Sequence, residues 1–302
     1  MKKRILALGL TVALAAASLA ACGGASTKTT EKATEAGTEQ GSEKATEAAK
    51  EEKADAGELR TYKLGVNGSD HEEREKANEL LAKDNIKVEM VEFSDYVKPN
   101  EALEDGEIDL NAFQTEIYFN NFVKERGYTD LGILAYTQVA PMGIYSSKYK
   151  SLDEATGHLI IAIPNDVTNG GRALKFLEKN GFLTLKKEAG LTPTVMDIEK
   201  YNKDVEIVEM VATQIPASLP DLSFACINNG VAKDAGLTLK NDAIVYEDYK
   251  EPDMKNYWNI IAAKKDRIES EDFQKIKKAY NSDEVKQVVL EHYDGQSIPV
   301  WD

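Results

Sequence analysis

The sequence predicts an α/β fold in two domains, and three observations point there. Apolar, β-branched runs alternate with helical patterns from residue 61 onward, which is the signature of strands and helices in alternation. The first such strand, helix and strand fit within about thirty residues, the length a βαβ unit needs. A long apolar, extended segment near the middle of the chain, LGILAYTQVAPMGIY (131–145), suits a crossover between domains. At 302 residues the chain has room for two domains even after its N-terminus is removed.

That N-terminus is the most specific local signal. Met1-Lys2-Lys3-Arg4 is a basic start, residues 5–19 are apolar but too short to hold a bilayer, and Leu19-Ala20-Ala21-Cys22 follows. The last four residues resemble a lipobox, so residues 1–22 are expected to be a lipoprotein signal peptide cut before Cys22. Acylation of that cysteine would hold the mature chain on the outer face of the cell membrane. From Gly23 to Glu58 there is no Ile, Leu, Val, Met or aromatic residue, and EKATEA occurs twice, at 31–36 and 43–48. With nothing to bury, residues 23–60 read as a disordered tether.

The folded part then runs in order. YKLGV (62–66) is a strand, Asn67-Gly68-Ser69-Asp70 a turn that can cap a helix over about 71–83, and IKVEMVEF (86–93) the second strand. Pro99 can start a short helix and Gly106 end it; Ile108 and Leu110 begin a strand; 114–126 reads as a helix stopped by Gly127. Phe113 and Tyr118 therefore fall near a strand-to-helix corner, where open α/β sheets collect ligands. After the crossover, Ser151 to Glu154 offers a capping box. The stretch LIIAIPNDVTNGGRALKFLEKNG (159–181) is a strand, a loop ending at Gly170 and Gly171, and a helix from Arg172 closed by Gly181. Two glycines, unpaired first amides and a planar cation make a corner that attracts a small carboxylate. The plain alternative is a strand-to-helix turn with a surface arginine. Further on, a short helix is expected over 195–200, strands at 205–211 and 223–229, and a helix closed by Gly236. The strand at 223–229 delivers Asn228 and Asn229 at its end. WNIIAAK (258–264) returns to the first domain with Asn259 near its start, and two helices (about 271–280 and 282–292) cover a sheet. The expected domains are 61–137 with 247–302, and 138–246.

Composition excludes several classes. The formal net charge is −15, and because the +3 of Lys2, Lys3 and Arg4 cancels the −3 of residues 23–60, the folded part carries all of it. Such acidity argues against a nucleic-acid partner. His71-Glu72 lacks the second histidine of a metalloprotease motif, since position 75 is Glu75, so His71 is expected at the surface. The three histidines are far apart, no G-x-S-x-G occurs, and no cofactor motif or metal-ligand cluster is present, so neither an enzyme nor a cofactor is expected. Cys226, the second of two cysteines, is expected to be a buried thiol.

The runs DYVKPNEAL (95–103), GEIDLNAFQ (106–114), APMGIYSSK (140–148), IAIPNDVTNGGRAL (161–174), CIN (226–228) and NYWNII (256–261) are in register with a known family. The chain resembles the NlpA, or methionine-binding, lipoproteins that serve ABC uptake transporters. That resemblance implies a periplasmic-binding-protein-like α/β fold with the ligand cleft between its domains, and two crossing segments acting as a hinge. It implies that Arg172 pairs with the ligand carboxylate, that Asn228 contacts the ligand backbone, that Asn259 is a polar pocket position, and that Phe113, Tyr118 and Tyr145 are pocket aromatics. Gln114 and Asn165, inside two of the matching runs, complete the candidate ligand-binding set. The implied ligand is an amino acid, methionine first, and the implied partner is an ABC transporter permease. Two positions depart from the pattern: Thr115 stands where Phe-Gln-His is common, and Gly230 where a second asparagine is common. Both adjoin the implied pocket and bear on which ligand fits. A different amino acid or small peptide, or an interaction or adhesive lipoprotein with a lost pocket, remain as alternatives.

Overall fold

The protein is described by a computed structural model covering residues 57–301. The expected signal peptide, Cys22 and the tether up to residue 56 lie outside the described residues. Among the described residues, no helix is long and apolar enough to cross a membrane.

The chain forms two main sheets in sequence-separated blocks. β1 (Arg60–Asn67), α1 (Glu72–Leu81) and β2 (Ile86–Phe93) make the expected βαβ unit, with β1 and β2 parallel along their whole length. α2 (Lys98–Glu104) leads to β3 (Leu110–Asn111), α3 (Glu116–Arg126) and β4 (Leu131–Val139). The second block runs β5 (Gly143–Tyr145), β6 (Leu159–Pro164), α4 (Val167–Lys179), β7 (Leu183–Leu185), β8 (Ile198–Tyr201) and β9 (Val205–Met210). It continues through α5 (Ile215–Ser218), β10 (Phe224–Ile227), α6 (Asn229–Asp234) and β11 (Ala243–Tyr246). The chain then returns as β12 (Trp258–Lys264), α7 (Lys265–Ile268), α8 (Glu271–Tyr280), α9 (Asp283–His292) and β13 (Ile298–Pro299). One sheet has the order β13-β4-β12-β3-β1-β2 and the other β11-β5-β10-β6-β9, with β7 and β8 a separate hairpin.

Each sheet is mixed and covered on both faces, which is why inner strands such as β6, β10 and β12 are apolar without alternation, whereas the edge strands β2 and β9 alternate. On the first, Leu64, Val66, Ile86 and Val88 pack with Phe273, Ile276, Val285 and Val289 of α8 and α9, while Leu103, Phe119 and Ile260 form a layer on the other side. On the second, Leu174, Phe176 and Leu177 of α4 pack with Phe224 and Cys226, and Ile215, Leu222 and Val231 cover the opposite face. Among the described residues two connections join the sheets, β4 to β5 and β11 to β12, as a two-lobed fold requires.

Several local expectations are corrected. Helix α4 starts at Val167, so Gly170 and Gly171 lie inside it rather than in a loop. A Cβ on Gly170 would stand 2.7 Å from the Pro164 carbonyl oxygen, and one on Gly171 2.9 Å from Thr192 Cα. The glycines therefore let backbones approach one another, not a ligand. One of the helix's first amides is also taken, since Asp166 caps it by accepting from Asn169 N at 2.8 Å. Residues 151–154 form bends rather than a helix, and Glu154 accepts instead from Lys150 N. The helix expected over 195–200 is one 3-10 turn, Val195–Asp197, because the chain then extends to pair with β7. His71 is not at the surface: it is 7% exposed, holds the N-cap of α1, and its Nδ1 faces Arg74 Nη1 at 2.9 Å.

Candidate functional site

The cleft between the lobes encloses about 630 Å³, within the range of small-molecule pockets. Its walls include Tyr96, Phe113, Gln114, Thr115, Tyr118 and Asn259 from the first lobe, and Asn169, Arg172, Asn228 and Gly230 from the second.

Arg172 sits in the second turn of α4, 3% exposed. Nε and Nη2 donate to the Glu247 carboxylate at 2.5–3.1 Å, and Nη2 also donates to the Ala140 carbonyl at 2.9 Å. The guanidinium lies 4.2 Å from the Tyr257 ring centroid. Burial pushes the Tyr257 hydroxyl up to about 12 against the pull of the Arg172 charge, so the ring meets the cation as a neutral face. Nη1 alone is left without a hydrogen-bond partner among the described residues, in a side chain that lines the cleft. It is a fixed donor for an anionic group.

A second polar chain starts at Asp166, which accepts from Asn169 Nδ2 at 3.0 Å through both carboxylate oxygens. Asn169 Oδ1 accepts from Asn228 Nδ2 at 2.7 Å. This fixes the Asn228 amide and leaves its Oδ1 buried without a partner among the described residues. A buried acceptor at a cleft suits a cationic donor, since leaving it unmet costs about 1–3 kcal/mol.

The apolar wall is a triangle of rings. Tyr96, Phe113 and Tyr118 have centroids 6.0–6.2 Å apart, with Tyr118 nearly perpendicular to the other two. Tyr118 Oη donates to the Tyr96 carbonyl at 2.9 Å. Burial first, and the charge of Asp166 second, push both tyrosine hydroxyls far above their ordinary value, so the wall stays neutral. Thr115 caps the helix that carries Tyr118, accepting from Tyr118 N at 3.3 Å, which gives this departure a local role. A Cβ at Gly230, the other departure, would meet nothing within 4 Å, so the cleft has open room there.

The eight candidate residues are thus not equivalent. Phe113, Tyr118, Arg172, Asn228 and Asn259 border the cleft together. Gln114 also borders it, but its amide is spent on structure: Oε1 accepts from Asn100 Nδ2 at 2.8 Å, and Nε2 donates to Asn100 Oδ1 and Asn111 Oδ1 at 2.6 and 2.8 Å. Tyr145 is corrected. Its ring lies over Gly143 on the same face of β5, 1% exposed and inside the second lobe's core, because alternate strand residues share a face. Asn165 is corrected too, being an exposed residue between β6 and α4 that does not line the cleft. Sequence reasoning missed Tyr96, Asn169 and Glu247. The first two lie within the matching runs DYVKPNEAL and IAIPNDVTNGGRAL and were accessible there, whereas nothing local marks Glu247. Among the described residues no group of three or more His, Cys, Asp or Glu could hold a metal.

The family model described as NlpA lipoprotein matches residues 63–301. The chain is 40% identical over 243 residues to the D-methionine-binding lipoprotein MetQ of Escherichia coli K12, covering 79% of this chain and 88% of that one. A nutrient binding protein from Burkholderia cenocepacia, solved bound to methionine, matches with a TM-score of 0.75 at 35% identity, covering 80% of this chain and all of the other. The substrate binding protein of a methionine transporter from Streptococcus pneumoniae matches with a TM-score of 0.75 at 37% identity, covering 80% and 96%. Together with the two covered sheets and the cleft between them, these matches place the chain in the NlpA lipoprotein family.

Proposed function

We propose that this chain is a solute-binding lipoprotein, not an enzyme, which captures methionine or a related amino acid outside the cytoplasm and delivers it to an ABC importer. The observation that carries this reading is the pairing of opposites in one cleft. Arg172 Nη1 is a fixed donor for a carboxylate, Asn228 Oδ1 is an unmet acceptor for an ammonium, and three neutral rings flank them. A zwitterion meets both polar ends, and a thioether packs on aromatic faces with about 0.3–1.5 kcal/mol per sulfur contact. The printed names of the relatives, which include methionine-binding lipoproteins and a methionine transporter's binding protein, support the same ligand. The lobes are assigned as 61–137 with 247–302, and 138–246, closing by a hinge through the two crossings. Membrane attachment is assigned to acylated Cys22, and the receiving partner to a transporter permease. The room at Gly230 favours, as a second reading, a larger amino acid or a small peptide in the same cleft.

Calorimetry of residues 61–302, unfolded and refolded to strip carried-over ligand, tests this against amino acids and short peptides. Methionine is expected to bind, and Arg172→Lys, which keeps a cation for Glu247 but loses the planar edge, to weaken binding by at least about tenfold, or 1.4 kcal/mol. Unchanged affinity in that variant would remove Arg172 from the site.

A further inference from the structure

We propose that Glu247 is a positioning residue for the ligand carboxylate, acting through Arg172; this role rests on the ligand reading above. Glu247 follows β11, on the second crossing, and is 9% exposed. Its carboxylate accepts from Arg172 Nε at 3.0 and 3.1 Å and from Nη2 at 2.5 Å, and its Oε2 also accepts from Met142 N at 2.7 Å. Its own N–H donates to the Met142 carbonyl at 3.0 Å. The carboxylate is therefore held by backbone of the first crossing before it holds the guanidinium.

The geometry determines what remains for a ligand. A guanidinium has five N–H donors in one rigid plane. Glu247 takes the Nε and Nη2 edge, Ala140 takes the other Nη2 proton, and Tyr257 fixes the tilt of the plane from below. With one edge anchored, the opposite Nη1 cannot swing and stays presented to the cleft. Glu247 also offsets a charge that would otherwise stand alone in a buried site, which is what allows an arginine to be 3% exposed there. The ligand's acid group then meets an oriented donor whose ordering was completed when the chain folded.

Orientation of this kind has a readout that general loosening lacks. Methionine and its primary amide share a side chain and an ammonium but differ in the group that meets Arg172, so their affinity ratio reports on Nη1 alone. Calorimetry with both probes is compared for wild type and Glu247→Gln, with circular dichroism to establish folding. The expected result is that the acid loses at least about tenfold in affinity while the amide changes by less than about threefold. Glu247→Asp, which keeps the charge but withdraws it by one methylene, is expected to show the same selective loss at smaller size and carries the comparison if the Gln variant does not fold. Equal losses for acid and amide, no loss for either, or failure of both variants to fold would overturn the positioning role. Absence of methionine binding by the wild-type chain would overturn the ligand reading and this role together.

Discussion

Charged side chains tie the two lobes together on both sides of the cleft, and the two ties differ in depth. On the crossing side, Arg172 and Glu247 are 3% and 11% exposed at their side chains, and their contacts include the backbone of the first crossing at Ala140 and Met142. On the opposite rim, Lys233 of α6 lies 3.1 Å from Asp70 and 4.1 Å from the Tyr293 ring centroid, and Asp70 also meets His292 at 2.8 Å. There the side chains of Lys233, Asp70 and His292 are 26–37% exposed. Asn229 Nδ2 donates to the Gln296 carbonyl beside them, and Lys240 faces Asp294 in the open. A buried pair is costly to break and fixes geometry; a half-exposed cluster is cheap to break and sets how readily two surfaces stay together.

The largest test of that contrast is a pair of matched truncations. Arg172→Met leaves the Glu247 carboxylate buried without its cation and is expected to cost about 3–5 kcal/mol in urea denaturation. Lys233→Met is expected to cost about 0–1 kcal/mol. Similar costs at the two sites would erase the distinction.

Acid sharpens it next. Burial raises the Asp70 carboxyl, but the His292 hydrogen bond and the Lys233 charge outweigh it and hold the group below its ordinary value of 3.8. A depressed folded value means a stabilising contribution that is complete above the unfolded value and lost as pH falls through the folded one. The stability difference between wild type and Asp70→Asn should therefore stay level just above the carboxylate range and shrink as pH drops below 3.8. A difference that grows in acid would reverse the assignment. The smallest effect is that of salt. The Lys233→Met difference should fade by about 1 M salt, where the Debye length is about 3 Å, while the Arg172→Met difference persists.

How much of this was legible in the sequence depends on how local each determinant is. The βαβ start, the return strand β12 and helices α8 and α9 follow from periodicity, and each appears within a few residues of its expected span. The start of α4 was misplaced because Gly170 and Gly171 look like loop residues until the neighbouring backbones at Pro164 and Thr192 are in view. Asp166, an N-cap residue type one position before the helix, was the local sign that could have corrected it. Of the residues that border the cleft, Arg172 and Phe113 lie within long matching runs, Asn228 lies in the short run CIN just after β10, and Tyr118 falls four residues past a run, near the strand-to-helix corner that the sequence predicts. Tyr145 and Asn165 lie in matching runs too but face elsewhere, since a run gives position along a strand and not the side that meets the cleft. Glu247 was out of reach. It meets Arg172 across 75 residues, through a crossing whose course depends on both sheets.

Cys226 has a practical bearing on all of these measurements. It is the sole cysteine in residues 61–302, is fully buried in β10, and burial followed by the charge of Glu247 drives its thiol far above the ordinary range. Such a sulfur stays protonated, slow to oxidise and closed to alkylating reagents. A cysteine introduced on the rim of each lobe would accordingly take a fluorescent label without competition, and the distance between two such labels, read with and without methionine, would test the proposed hinge directly.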